Sequence, residues 1–155
     1  MTHVRPSKHT YFMNLAIQAS TRSHDIETQV GCVLVSNKTH NVLGTGYNGF
    51  ARGVDDSQLP NTRPDKHQFI IHSEMNLIIS LARMGGIGTD DTTLYCTLSP
   101  CINCMRMLYQ AGITRVIVKN KYRDYESLKQ LKDLQITESL TEEGFFELKY
   151  SPLRK

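Results

Sequence analysis

Apolar residues recur along this chain at two spacings. Between Lys8 and Thr21 the period is helical, with Phe12, Leu15, Ala16 and Ala19 on one side, which predicts an opening helix. Gln29 to Val35 carries Val30, Cys32, Val33, Leu34 and Val35 in a largely continuous apolar run, the mark of a strand. Ser36 to Asn41 is a polar turn and Asn41 to Tyr47 a second strand, so the two predict a hairpin. Met75, Ile78, Ile79 and Ala82 return to helical offsets, one face of a helix from about Ser73 to Met84 that Gly85, Gly86 and Gly88 end. Thr92 to Thr97 predicts a strand leading into a helix that runs to about Ala111, with Gly112 as its C-cap. Arg115 to Lys119, with Val116, Ile117 and Val118, predicts another buried strand. Leu128, Leu131 and Leu134 suggest a helix, and Phe145 to Tyr150 a final edge strand.

The order of these elements predicts an α/β fold, a mixed five-stranded sheet with helices on both faces. The strand–helix–strand steps predict parallel neighbours. The connection from Phe50 to Ile71 holds Asp55, Asp56, Pro60, Asn61 and Pro64, which oppose regular structure. A loop of that length inside a compact domain is often functional. No internal repeat or composition shift divides residues 1–155, so the reading is a single domain.

Composition narrows the classes. The 18 Lys and Arg against 15 Asp and Glu give a formal net charge of +3, too mild and too scattered to predict a nucleic-acid surface. No apolar run approaches the length of a membrane span. Met1 to Thr10 is polar, carries His3, Arg5, Lys8 and His9, and lacks the apolar core of a signal peptide. Cys32 and Cys96 lie in apolar strand-like runs and read as buried reduced thiols. A cytoplasmic location follows as the default.

Two short stretches carry the chemistry, His72-Ser73-Glu74 and Pro100-Cys101-Ile102-Asn103-Cys104. A catalytic zinc keeps three protein ligands and leaves its fourth position to water. His72, Cys101 and Cys104 supply three. Ser99 as N-cap and Pro100 in the first turn would set both cysteines at a helix N-terminus, where the dipole favours the metal-binding thiolate. Glu74 separates this pattern from a structural zinc site. A structural site needs no carboxylate two positions from its histidine, whereas hydrolysis needs a group that moves protons.

The pair H-x-E and P-C-x-x-C resembles the signature of the zinc nucleobase deaminases. Across Tyr11 to about Asp124 the chain is similar to the deoxycytidylate deaminases of the zinc-dependent cytidine and deoxycytidylate deaminase superfamily. Carrying this are Tyr11-Phe12-Met13, Thr21-Arg22-Ser23, Gln29-Val30-Gly31, Gly46-Tyr47-Asn48-Gly49 and the acidic loop after it. His72-Ser73-Glu74-Met75-Asn76, Leu94-Tyr95 to Cys104, Gln110-Ala111-Gly112-Ile113 and Lys121-Tyr122 complete it. Ser73 departs from the alanine usual there.

The resemblance implies a cytidine-deaminase-like three-layer α/β/α fold and hydrolysis of dCMP to dUMP, for thymidylate supply. Glu74 would take a proton from water and deliver it to N3 of the cytosine. Backbone near Ser73 and the side chain of Asn48 would hold base and sugar, and Tyr122 would line the pocket. Arg22 is the first candidate for the 5′-phosphate and Arg123 the second. Zn2+, one per chain, is the implied cofactor; the long loop has His67 and no cysteine, so no second zinc is expected. The resemblance also implies activation by dCTP and inhibition by dTTP, with Mg2+ on the triphosphate. The effector would sit near Gly46, Tyr47, Asn48, Gly49, Arg52 and Gly53, in a homo-oligomer, a hexamer by resemblance. A free-nucleoside or tRNA adenosine deaminase is the alternative.

Overall fold

A computed structural model describes residues 1–153, and Arg154 and Lys155 of the basic tail lie outside the described residues. The opening helix, α1 (Lys8–Ser20), forms where the periodicity predicts it. The Ser7 hydroxyl accepts from the Thr10 amide at 3.1 Å and so caps one of the first-turn donors. β1 (Gly31–Ser36) and β2 (Val42–Tyr47) make the predicted antiparallel hairpin, with a bulge between Leu34 and Val35. Then come α2 (Ser73–Arg83), β3 (Thr92–Leu98), α3 (Ile102–Gln110), β4 (Ile113–Asn120), α4 (Tyr125–Leu128), β5 (Thr137–Leu140) and β6 (Phe146–Lys149). The spatial order is β2-β1-β3-β4-β6-β5. β3 and β4 pair in parallel and the other neighbours are antiparallel.

The central strands read as continuous apolar runs because both faces of the sheet are covered. Alternation along each strand sorts the side chains into two cores. Val33 and Val35, Tyr95 and Ile117 meet Phe12, Met13 and Ala16 of α1 on one face. Cys32 and Leu34, Leu94 and Cys96, Val116 and Val118 meet Leu77 and Leu81 of α2 and Met105 and Leu108 of α3 on the other. Full burial of such an aliphatic side chain contributes roughly 1.5–3 kcal/mol. Two glycines let the helices approach: a Cβ at Gly31 would meet the α1 backbone at Ala16 and Ser20, and one at Gly46 would meet Ser73 and Leu77 of α2. These are the close backbone approaches that hold the hairpin between α1 and α2.

Several expectations need correction. The sheet has six strands, not five. The additional strand, β5, is Thr-Glu-Ser-Leu with all four residues exposed, so no buried alternation marks it in the sequence. Consequently β6 is not the edge; it lies between β4 and β5. The helix expected over Leu128, Leu131 and Leu134 is confined to α4. Leu131 and Leu134 are nonetheless buried, carried by successive turns that end at Gln135 with φ 43°. On α2 the residues turned inward are Ser73, Glu74, Leu77 and Leu81. Met75, Ile79 and Ala82, read from spacing as one apolar helix face, point outward.

Candidate active site

The chemistry collects at the carboxyl ends of the two parallel strands, where open α/β sheets leave a crevice. β3 leads through Ser99 and Pro100 into Cys101, which is itself the N-cap of α3. The expected cap, Ser99, bonds elsewhere. Its hydroxyl accepts from the Tyr122 amide at 2.7 Å and ties the end of β3 to the segment after β4. Cys101 caps with sulfur, accepting from the Cys104 amide at 3.5 Å. His72 is the N-cap residue of α2. Two helix starts therefore face each other, and both dipoles present their positive ends to the sulfurs.

His72 Nδ1 stands 3.6 Å from Cys101 Sγ and 3.5 Å from Cys104 Sγ, and the three ligand atoms lie within 4.8 Å of one another. Zinc bonds of ~2.3 Å to sulfur and ~2.0–2.1 Å to imidazole nitrogen, at a tetrahedral angle, would set nitrogen and sulfur about 3.5 Å apart. The donor set and its spacing fit zinc. Among the described residues this is the one such cluster. The Cys101 thiol is pushed down to about 4, because Cys104 donates to its sulfur and His72 stands beside it. The same coupling raises Cys104, with burial adding to it.

Glu74 is 3% exposed, one residue into α2. Its Oε2 accepts from the Ser73 hydroxyl at 3.1 Å and its Oε1 from the Cys96 thiol at 3.4 Å. Burial raises its pKa above the ordinary carboxylate value, against the opposing pull of its backbone hydrogen bond and of His72. His72, Glu74 and Cys101 open on a cleft of about 610 Å³, mouth included, whose wall also includes Asn48, Ser73 and Tyr122.

A sequence profile described as the cytidine and deoxycytidylate deaminase zinc-binding region matches residues 6–120. The chain belongs to this family. It is 42% identical to a probable deoxycytidylate deaminase of Caenorhabditis elegans, over 70% of this chain and 55% of that one. It is 36% identical to the deoxycytidylate deaminase of Saccharomyces cerevisiae, over 86% of this chain and 45% of that one. The chain thus spans about half the length of these curated relatives. The dCMP deaminase of cyanophage S-TIM5, solved in complex with dCMP and dUMP, superposes with a TM-score of 0.68 at 30% identity, covering 83% of this chain and 93% of that one. The fold is accordingly the cytidine-deaminase-like α/β/α arrangement.

Within this deaminase-family cleft, the expected residues separate into two groups. Asn48, Ser73 and Tyr122 line it. Asn48 is already bound to the chain: its Oδ1 accepts from the Val30 amide at 2.8 Å and its Nδ2 donates to the Thr28 carbonyl at 2.9 Å. Arg22 is exposed and lies outside the lining. Arg123 is exposed too, with its guanidinium 5.2 Å from the Tyr122 ring centroid. Of the residues expected around an effector, Asn48 lines this cleft. Gly46 is buried against α2, and Gly49 bridges to Ile71 beside His24. Tyr47, Arg52 and Gly53 face outward.

The sequence reading missed a charged wall of the cleft. Asp25 and Lys66 line it as a buried ion pair. Arg63 lies at its rim, held by Glu27 at 3.2 Å and by the Thr28 hydroxyl at 2.7 Å. Burial alone would raise the Asp25 pKa, but Lys66 and the Thr28 and Glu27 amides hold it below the usual range. Lys66 sits in a single 3₁₀ turn, Asp65–Gln68, of the long loop, 41 residues from its partner. The only hint in the sequence was the length of that loop.

Proposed function

We propose that this protein hydrolyses dCMP to dUMP and ammonia. The observation that carries the reading is Glu74, a buried carboxylate at the floor of an open cleft and two residues from one of three converging metal ligands. The substrate named for the similar worm, yeast and cyanophage proteins supports dCMP.

Zinc, held by His72, Cys101 and Cys104, supplies a Lewis acid that makes water ionisable near neutral pH. Glu74 takes the proton of the attacking water at a carboxylate oxygen and hands it to N3 of the cytosine. It then relays a proton to the departing amine. One water is consumed, a C4–O bond forms, the C4–N bond breaks, and ammonia leaves. Burial suits Glu74 to this traffic, because a raised pKa brings its proton affinity nearer the working pH. The Ser73 backbone holds the base, Tyr122 walls it, and Asn48, whose Nδ2 is taken by Thr28 and Asp25, meets the sugar through the remaining lone pair of Oδ1. For the 5′-phosphate the structure favours Arg63 over Arg22 and Arg123, since Arg63 lines the cleft.

The regulatory reading extends the same proposal: dCTP with Mg2+ activates, dTTP inhibits, and the protein works as a homo-oligomer in the cytoplasm. Tyr47, Arg52 and Gly53 are open to an effector or a neighbouring subunit. Met75 and Ile79, 41% and 46% exposed on α2, form an apolar strip that a second copy would cover. Among the described residues no helix is long and apolar enough to cross a membrane. Ammonia release from dCMP by zinc-loaded protein, alone and with dCTP–Mg2+ or dTTP, tests the reading. Turnover raised by dCTP and suppressed by dTTP is expected. Turnover of a tRNA anticodon loop but not of dCMP would replace it.

A further inference from the structure

Glu74 has both carboxylate oxygens occupied by side chains that no step of the reaction above uses. Oε2 takes the Ser73 hydroxyl at 3.1 Å, from the adjacent residue of α2. Oε1 takes the Cys96 thiol at 3.4 Å, from the middle of β3. We propose that Ser73 and Cys96 are positioning residues that clamp Glu74 between helix and sheet and set which oxygen exchanges protons with the substrate. The proposal rests on the reading of Glu74 as the proton carrier.

The two arms differ in place and in strength. Cys96 is fully buried and stands in register with Cys32 on β1 and Val118 on β4, on the sheet face that α2 covers. It does not line the cleft, whereas Ser73 and Glu74 do. The thiol therefore holds Oε1 from the sheet, and the Ser73 hydroxyl holds Oε2 from within α2. A serine hydroxyl rotates freely about its C–O bond and both donates and accepts. Its hydroxyl can therefore hold Oε2 or release it without moving the helix backbone. An S–H is a weak donor, but Cys96 is fully buried and its sulfur lies within reach of a carboxylate oxygen. An alanine at position 73 or an aliphatic residue at position 96 would fill the same space and offer no hydrogen. If Cys96 merely fills the core, valine should replace it without consequence.

Two measurements decide this. The first is the S–H stretching band in the infrared, where few other groups absorb. The difference between wild type and Cys96→Val assigns the Cys96 band. The clamp predicts that this band moves to higher frequency in Glu74→Gln, because an amide oxygen is the weaker acceptor; an unmoved band overturns the contact. The second is steady-state kinetics with dCMP on zinc-loaded protein. Ser73→Ala and Cys96→Val should each lower kcat about five-fold, the equivalent of one ~1 kcal/mol hydrogen bond, with KM unchanged. Cys96→Ser, which keeps a donor, should restore most of the Cys96→Val loss. Unchanged kcat in both variants, or losses that appear in KM or zinc content instead, overturns the clamp. Ser73→Ala keeps the second test available even if position 96 does not tolerate substitution. Absence of any turnover by the wild type would sink the proposed reaction, while the infrared shift would still decide the contact.

Discussion

Lys66 and Asp25 meet beneath the cleft as a bidentate pair, Nζ standing 2.7 Å from Oδ1 and 2.9 Å from Oδ2, with the side chains 3% and 2% exposed. Asp25 Oδ1 also accepts from the amides of Glu27 and Thr28 at 2.8 and 3.0 Å. The pair thus anchors the 3₁₀ turn to the segment that carries Thr28 and Val30 on the cleft wall. Removing one partner leaves a buried charge uncompensated, which costs about 3–5 kcal/mol. Lys66→Met or Asp25→Asn should lower the urea midpoint accordingly, and the double substitution should recover part of the loss.

The same pair gives stability a sign in acid. The folded pKa of Asp25 lies below its unfolded value of ~3.9, so its contribution is fully present above that value. It is lost as pH falls through the lower folded pKa. Acid denaturation curves of wild type and Asp25→Asn should therefore converge at low pH, and curves that stay parallel would contradict the assignment.

The metal set is testable apart from turnover. Elemental analysis should give one zinc per chain, and Cys101→Ser or His72→Ala should lose it. Two tightly bound equivalents would contradict the single-site reading. Because metal binding contributes folding free energy, chelation should also lower Tm.

Glu74→Gln separates an enzyme from a zinc scaffold. Zinc content should stay at one per chain, while kcat falls by roughly 10²–10⁴-fold, the range for a positioned general acid–base group. The raised pKa of Glu74 carries a second consequence. An acid whose folded pKa exceeds its unfolded pKa binds more protons when folded, so it costs stability as pH rises between the two. Metal-free Glu74→Gln should therefore melt higher than metal-free wild type at neutral pH.

Arg63 should divide binding from chemistry. If it meets the substrate phosphate, Arg63→Ala should raise KM for dCMP about 10- to 100-fold, as losing a charge-assisted hydrogen bond implies, with a smaller effect on deoxycytidine. Arg22→Ala and Arg123→Ala should change KM little. An Arg22→Ala defect larger than that of Arg63→Ala would return the phosphate to the end of α1.

The outward apolar face of α2 predicts association. Ile79→Asp should shift the protein to smaller species in light scattering, since it places a charge in the strip beside Met75. A wild type already monomeric at micromolar concentration would end that reading.

Much of this molecule was written in local pattern. The central strands are continuous apolar runs because helices cover both faces of the sheet, and α1 shows its buried side at helical spacing. The candidate metal donors stood out as residue types at fixed offsets, and His72, Cys101 and Cys104 do converge, although Cys101 rather than Ser99 caps α3. Tertiary structure decided what depends on distant partners. β5 is a strand only because β6 offers it an edge. Met75 and Ile79 have the period of a core face but point outward, because Leu77 and Leu81 already fill the space over the sheet. The Asp25–Lys66 pair, Arg63 at the rim and the Cys96 thiol behind Glu74 join residues from separate elements. Their contacts depend on where the chain folds back on itself, which no spacing within one segment encodes.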